Sequence, residues 1–139
     1  MDEETDSTIA LFAIHPEFAE RILSGQKKVE FRKRRPKENI SHVLVYATSP
    51  LKKVLGYFHI EHVDEGSPDE IWSRYGHIGG IEESAFDAYF ADSDVSVAIV
   101  IKEAKSFDEP VGLECLNGPK APPQSFQYLP TSTLKLLPI

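Results

Sequence analysis

The chain has 139 residues, a length that fits one domain with a hydrophobic core of its own. Its 15 basic and 22 acidic residues give a net charge of −7, which argues against general attraction to polyanions. Its longest aliphatic run, residues 97–101, is too short to cross a bilayer, and its one cysteine, Cys115, excludes a disulfide within the chain. The acidic start, residues 1–7, lacks the basic and apolar pattern of a secretory leader, so we predict a disordered N-terminus and a cytoplasmic location.

A strand and a short helix are predicted first. Residues 8–14 are apolar and predict a buried strand, which opens a single domain over 8–139. Pro16 is suited to the first turn of a helix, where its missing N–H costs nothing, and apolar residues repeat at helical spacing as far as Ser24. Gly25 then predicts a left-handed cap, so the chain should turn back at this glycine.

A strongly basic strand follows this turn. Val29 and Phe31 alternate with Glu30 and Arg32, as in a strand, and Pro36 ends the pattern. Seven of the 15 basic residues and one acid lie between positions 27 and 37, which leaves +6 on this stretch and −13 on the remainder. The asymmetry predicts one local site that attracts an anion.

The later pattern predicts three more strands and two helices. The strands are expected over 43–47, 54–63 with a bulge at Gly56, and 95–101; the helices are expected after a capping box at Ser67 and over 82–90. The proline-rich tail predicts mostly loop. Strands outnumber helices and do not alternate with them regularly, which favours an α+β fold: a small mixed β-barrel with short helices covering its ends.

Lys27, Glu30 and Arg32 are the strongest candidates for a functional site. Arginine offers a planar fork for a phosphate or a base edge, glutamate can exchange a proton, and a lysine in a partly dry cleft beside another cation loses basicity. In a regular strand Lys27 would point away from the other two, so the turn has to reorient it. The cations that follow Arg32 have an alternative explanation, because edge strands commonly carry charge that discourages pairing.

The pattern Gly25-x-Lys27-x-x-Glu30-x-Arg32, just after a strand and a short helix, resembles the GxKxxExR signature of the ASCH domain family. The similarity extends to residues 46–50 and 123–129. ASCH domains are PUA-like small mixed barrels associated with RNA and modified nucleosides. The resemblance implies a cleft for single-stranded RNA or a modified nucleoside, without membrane, metal or cofactor, and leaves protein partners open. The ligand-binding residues that we expect from it are Lys27, Glu30, Arg32, Arg34, Tyr46 and Ser125.

Removal of an acetyl group from N4-acetylcytidine is one activity found among similar domains. In those members the signature lysine, here Lys27, is catalytic. This chain departs from them because Glu30 stands where they have a threonine. Gly79 also falls near the position of their second carboxylate, which Glu82 or Glu83 would have to replace.

Cleavage of single-stranded RNA is the other hydrolytic activity in the family. A tyrosine, a lysine a few residues later and a serine in the final loop are implicated there, and Tyr46, Lys52 and Ser125 occupy similar places. These groups can move a proton and neutralise a phosphate without a metal. The catalytic candidates are therefore Lys27 and Glu30, or Tyr46 and Lys52, and the sequence leaves open whether the chain is an enzyme.

His59 and His62 raise the question of a metal site. A spacing of three residues in a strand sends the two rings to opposite faces of the sheet. We therefore predict no metal at this pair.

Overall fold

Six strands and three α-helices form residues 8–139, the part of the chain that the computed structural model describes. The strands are β1 (Thr8–Ile14), β2 (Val29–Arg32), β3 (Ile40–Ala47), β4 (Lys53–Gly66), β5 (Ser96–Val111) and β6 (Phe126–Pro130). The helices are α1 (Pro16–Ser24), α2 (Pro68–Tyr75) and α3 (Glu83–Tyr89). The predicted disordered segment, residues 1–7, lies outside the described residues. None of the helices in 8–139 has the length and apolar character needed to cross a membrane.

The strands form one mixed sheet in the order β2-β5-β4-β3-β1-β6. Among the six described strands, β1 and β3 pair in parallel and the other neighbours are antiparallel. This arrangement confirms the α+β class. The sheet is not closed, because β2 and β6 remain as its two edges, so the word barrel fits only loosely.

Arg32 joins the two edges of this open sheet through its side chain. It projects from β2, and its Nη1 donates to Ser125 Oγ just before β6 at 3.0 Å. Its Nη2 donates to the Ala13 carbonyl of β1 at 3.0 Å, and the guanidinium lies 4.7 Å from the centre of the Phe12 ring. The sheet therefore approaches a barrel by side-chain contacts between its edges.

Three apolar clusters form the core of residues 8–139. The first packs α1 against one face of the sheet around Phe12 and Phe58, and the second covers the opposite face of β1, β3 and β4. Two short 3₁₀ helices, Leu113–Leu116 and Thr131–Leu136, contribute to that second cluster. The third cluster packs α2 and α3 against β2 and β5. As a result, α1 and α3 lie beside the N-terminal end of β2, where the basic segment begins.

Local signals at the ends of elements are confirmed. Gly25 has φ +89° and donates its amide to the Ile22 carbonyl, as a left-handed cap does. Ser67 accepts from the Glu70 amide while the Glu70 carboxylate accepts from the Ser67 amide, which is the complete capping box. The pairing register shifts beside Gly56, where a Cβ would lie 2.1 Å from the Lys105 carbonyl oxygen.

The tail prediction is wrong in two respects. β5 continues ten residues beyond the predicted end at 101, through a mostly exposed and polar half that carries little apolar signal. The proline-rich tail contains β6, which pairs with β1 far back in the chain, and the two 3₁₀ helices. β6 is a short strand with only two buried residues, so its local sequence gives little indication of a strand. Its pairing with the distant β1 is what stabilises it as one.

Candidate functional site

A cleft of about 380 Å³ opens where β1, α1, β2 and α3 meet. Lys27, Glu30 and Arg32 line it, although their residues are only 2%, 6% and 7% exposed. Ser125 and Tyr89 form parts of its walls. The structure therefore brings together the three signature residues that the sequence singled out. It also places Ser125, another of the predicted ligand-binding residues, in the same cleft.

Lys27 enters the cleft because it precedes β2 and does not obey the strand alternation. Its amide donates to the Arg21 carbonyl at 2.9 Å, which ties it to the end of α1. Its Nζ donates to the Gly79 carbonyl and lies 3.9 Å from Glu30 Oε1. The expected reorientation of Lys27 toward Glu30 by the turn is confirmed.

The Lys27 ammonium occupies a largely apolar setting. Its Nζ lies 5.4 Å from the Phe18 ring centre and 5.0 Å from that of Phe31, so the ring faces provide part of its solvation. Burial lowers the pKa of Lys27, while the Glu30 carboxylate raises this pKa and Arg32 lowers it. Lys27 is thus a cation that gives up its proton more readily than an exposed lysine.

Glu30 and Arg32 form a tight buried pair. Arg32 Nη2 and Nε lie 2.8 and 3.0 Å from the same oxygen, Glu30 Oε2, which leaves Oε1 on the side of Lys27. The remaining N–H groups of Arg32 are directed at Ala13 and Ser125. All the donors of this guanidinium have protein partners, so Arg32 orients Glu30 and Ser125 in the cleft.

A glycine pair, Gly79 and Gly80, forms the wall behind Lys27. A Cβ on Gly79 would lie 2.6 Å from the Phe31 ring, and one on Gly80, whose φ is +63°, would lie 2.5 Å from Lys27 Cβ. Arg21 Nη1 donates to the Gly80 carbonyl at 2.9 Å. The backbone therefore approaches Lys27 as closely as it does because both residues lack a side chain.

The segment around α3 supplies no second carboxylate to the cleft. Glu82 and Glu83 are exposed and are not among the lining residues, to which this segment contributes Ile81, Ala85 and Tyr89. Burial is the main cause that raises the pKa of the Tyr89 hydroxyl. Within residues 8–139, Glu30 is thus the one carboxylate of the cleft.

The other catalytic candidates lie outside this cleft. Tyr46 is 3% exposed and packs in the second apolar cluster, and Lys52 is exposed in the β3–β4 turn with φ +54°. Tyr46 does pair in register with Ala13, whose amide donates to the Ser125 carbonyl at 3.0 Å. Tyr46 and Ser125 therefore flank the end of β1, while Lys27 and Tyr46 lie in different environments.

The basic residues after β2 are exposed at the cleft's rim. Arg34 lies with its Cζ 4.9 Å from the ring centre of Phe126, on β6. The sequence identified these cations and correctly placed them beside an edge strand. Of the rings that these cations contact, only Tyr89 was missed, because it lies on α3, far away in sequence.

The histidines have separate surroundings. The His59 ring lies 4.7 Å from that of His42, while the His62 ring lies 6.5 Å from that of Tyr75. The described residues hold no group of three or more histidine, cysteine, aspartate or glutamate side chains arranged to bind a metal ion.

Comparisons with known proteins agree with the fold and the signature. The model of the ASCH domain family matches residues 12–111. The chain is 34% identical to the ASCH domain-containing ribonuclease of Zymomonas mobilis, over 93% of this chain and 89% of that protein. The crystal structure of ASCH from Zymomonas mobilis is 30% identical with a TM-score of 0.85, over 96% of this chain and 94% of that one. The chain is also 37% identical to the Ureaplasma parvum large ribosomal subunit protein uL22, over 92% of this chain but only 41% of that protein. This chain belongs to the ASCH domain family.

Proposed function

We propose that the chain binds single-stranded RNA and that one unstacked base enters the cleft over Lys27 and Glu30. The observation that carries the proposal is this buried lysine and carboxylate, side by side in a cleft of about 380 Å³. The similarity to a protein named as a ribonuclease supports RNA as the ligand. We also propose a cytoplasmic location, which would give access to such RNA.

The two groups are complementary to the edge of a base. Lys27 Nζ is a donor with protons left after its bond to Gly79, and Glu30 Oε1 is an acceptor 3.9 Å away. A base edge that presents an acceptor beside an amino group would satisfy both, with the lysine donating and the carboxylate accepting. Proteins usually recognise single-stranded RNA through such splayed bases, held by edge contacts and stacking. The Phe18 and Tyr89 rings at the cleft offer stacking surfaces.

Cleavage of the bound strand is a second candidate function, favoured by the name of the Zymomonas mobilis relative. Ser125 stands in the cleft wall, and Tyr46 lies in register across β1 from it. Lys52, exposed in the β3–β4 turn, would neutralise a phosphate of a strand that continues past Ser125. A tyrosine or serine hydroxyl would then carry the proton that moves during phosphodiester cleavage.

Deacylation of an N4-acetylated cytidine has weaker support. The lowered pKa of Lys27 suits an activating amine. However, the lysine donates to the Gly79 carbonyl, and no carboxylate of the α3 segment reaches the cleft lining. We therefore retain this reaction only as one arm of the test.

The binding proposal is tested with Lys27→Met, which keeps the aliphatic stem and removes the charged donor. We expect binding of a labelled single-stranded RNA, measured by fluorescence anisotropy, to weaken about tenfold or more, as for a lost charge-assisted hydrogen bond. Lys28→Met is the matched control, because Lys28 is adjacent and exposed and does not line this cleft. Equal affinities of the two variants would contradict the proposal, provided that both unfold at similar temperatures.

Turnover separates the three activities in the same samples. Labelled RNA and N4-acetylcytidine are incubated with the wild type in the presence of a chelator, and products are resolved by gel and by chromatography. If Lys27→Met still shortens the RNA but Tyr46→Phe or Lys52→Met does not, cleavage is assigned to the group formed by Tyr46, Lys52 and Ser125. Release of acetate that is lost in Lys27→Met would assign deacylation, and binding without product would leave the chain a reader of RNA.

A further inference from the structure

We propose that the rim of the cleft is a subsite for the nucleotides that flank the bound base, so that the ligand is an oligonucleotide rather than a free nucleoside. The rim consists of Lys33, Arg34 and Lys37 and of the three aromatic rings that they cover. This inference rests on the proposed function, because it continues the strand whose base enters the cleft.

Three cations of the rim lie over three aromatic rings. Their distances to the ring centres are 4.8 Å from Lys33 Nζ to Tyr89, 4.9 Å from Arg34 Cζ to Phe126, and 4.6 Å from Lys37 Nζ to Tyr128. The rings come from α3 and β6, and the cations from the segment after β2. Three elements thus contribute to one strip of alternating charge and aromatic surface.

The strip is continuous with the cleft. Tyr89 and Ser125 line the cleft, and Phe126 is the next residue of the chain after Ser125. At the far end, Tyr128 is 38% exposed and its hydroxyl accepts the Lys37 amide at 2.9 Å, which holds the end of the segment against β6. A strand with one base in the cleft can therefore continue along the rim without crossing the acidic remainder of the surface.

The rim cations are available to an anion. Within residues 8–139, no carboxylate lies within ion-pair distance of Lys33, Arg34 or Lys37. Arg35 differs, because its Nη1 lies 3.6 Å from Glu65 Oε1 and its Nη2 donates to the Val63 carbonyl. Among the described residues, Lys33, Arg34 and Lys37 therefore contact rings but no carboxylate, whereas Arg35 is already ion-paired.

At Tyr89 and Tyr128, which are 43% and 38% exposed, the cation and the ring together offer what one nucleotide needs, whereas the buried Phe126 serves to position Arg34. A base can stack on the aromatic face while the lysine or arginine moves to the neighbouring phosphate, as on surfaces that bind single strands. Residues 33–37 extend over at most about 14 Å. Stacked bases repeat about every 3.4 Å along one strand, so this length suits more than one nucleotide.

The test compares short and long ligands. Anisotropy, with competition for the short ligands, measures the affinities of the four nucleoside monophosphates and of the matching homo-oligonucleotides of about ten nucleotides. We expect Arg34→Ala and Lys37→Ala each to weaken oligonucleotide binding several-fold and to reduce the slope of log affinity against log salt by about 0.7. Tyr128→Leu should weaken it about fivefold or more, through lost stacking. Monophosphate binding should not change.

Arg35→Ala is the matched control, since it removes one positive charge from the same segment at the position that is already ion-paired. If Arg34→Ala and Lys37→Ala behave like Arg35→Ala while Lys27→Met still weakens binding about tenfold or more, the rim proposal is overturned and the proposed function stands. If the wild type binds neither the monophosphates nor the oligonucleotides, both fail. If oligonucleotide binding depends on the rim but not on Lys27, the rim is supported and the cleft is not.

Discussion

A single buried side chain dominates this site at the scale of residues. Lys27 is 2% exposed, and the protein holds it with one carbonyl, two ring faces and a carboxylate 3.9 Å away. Burial of a charge opposes folding even when a partner is near. The lysine therefore costs stability in its charged form and is well placed to bind a ligand that completes its hydrogen bonding.

This cost predicts a pH dependence of the free energy of unfolding. Burial holds the pKa of Lys27 below 10.5, its ordinary value, so the folded state releases the proton first as pH rises. Between the folded pKa and 10.5 the unfolded state binds more protons, and the free energy of unfolding should rise by about 1.4 kcal/mol per pH unit from this group. Below the folded pKa the lysine is charged in both states and its cost is constant.

The measurement is the difference in urea-unfolding free energy between the wild type and Lys27→Met across the neutral and alkaline range. Other titrating groups largely cancel in this difference. We expect the free energy of unfolding of the wild type to increase relative to that of the variant as pH rises toward 10.5. A difference that is flat, or that moves the opposite way, would show that the buried amine does not have a lowered pKa.

At the scale of elements, the features that depend on residues close together in the sequence were predicted, and the features that depend on distant residues were not. Pro16, Gly25 and Ser67 act on neighbours a few residues away, so the ends of α1 and the start of α2 were found from sequence. The reach of Lys27 into the cleft followed from its place in the turn. β6 was not found, because its pairing partner β1 lies more than 100 residues away, and no local pattern records that contact.

The Gly79–Gly80 wall is an element whose role became clear only in three dimensions. We predict that Gly80→Ala destabilises the protein by more than Gly25→Ala. Both glycines have positive φ, at +63° and +89°, so each substitution carries a backbone cost of about 1–2 kcal/mol. At Gly80 the new Cβ would also meet Lys27 Cβ at 2.5 Å, whereas at Gly25 no atom of residues 8–139 outside its own neighbourhood lies within 4 Å of it.

Urea unfolding of the two variants measures this difference, and RNA affinity measures its effect on the site. We expect Gly80→Ala to weaken RNA binding by displacing Lys27, and Gly25→Ala to leave the position of the ammonium intact. Identical stability losses would mean that the wall yields to the added methyl group.

At the scale of the whole molecule, the cleft exists because the open sheet brings its two edges together. The guanidinium of Arg32 connects β2 with β1 and with the residue before β6, while it also holds Glu30. The class of fold could be predicted from the order of strands and helices. The connection between the edges could not, because one side chain makes it to residues 19 and 93 positions away.

We predict that Arg32→Met separates these edges. Removing one partner of a buried ion pair typically costs about 3–5 kcal/mol, because the other charge stays buried. Arg35→Met is the control, since its pair with Glu65 is about half exposed and such pairs contribute about 0–1 kcal/mol. Hydrogen exchange should become faster in both β2 and β6 in Arg32→Met, and acceleration in β2 alone would contradict a link between the edges.

The parallel pairing of β1 and β3 leaves the other flank of β1 to β6, and Thr8 Oγ1 donates to the Leu129 carbonyl across 121 positions. A ribosome releases the N-terminal strand long before the segment that covers it. Throughout that interval the backbone amides and carbonyls on this edge of β1 lack their β6 partners and can pair with strands of other chains. The polypeptide thus completes the Ser125 wall of the cleft and gains its protection from aggregation in the same late step of synthesis.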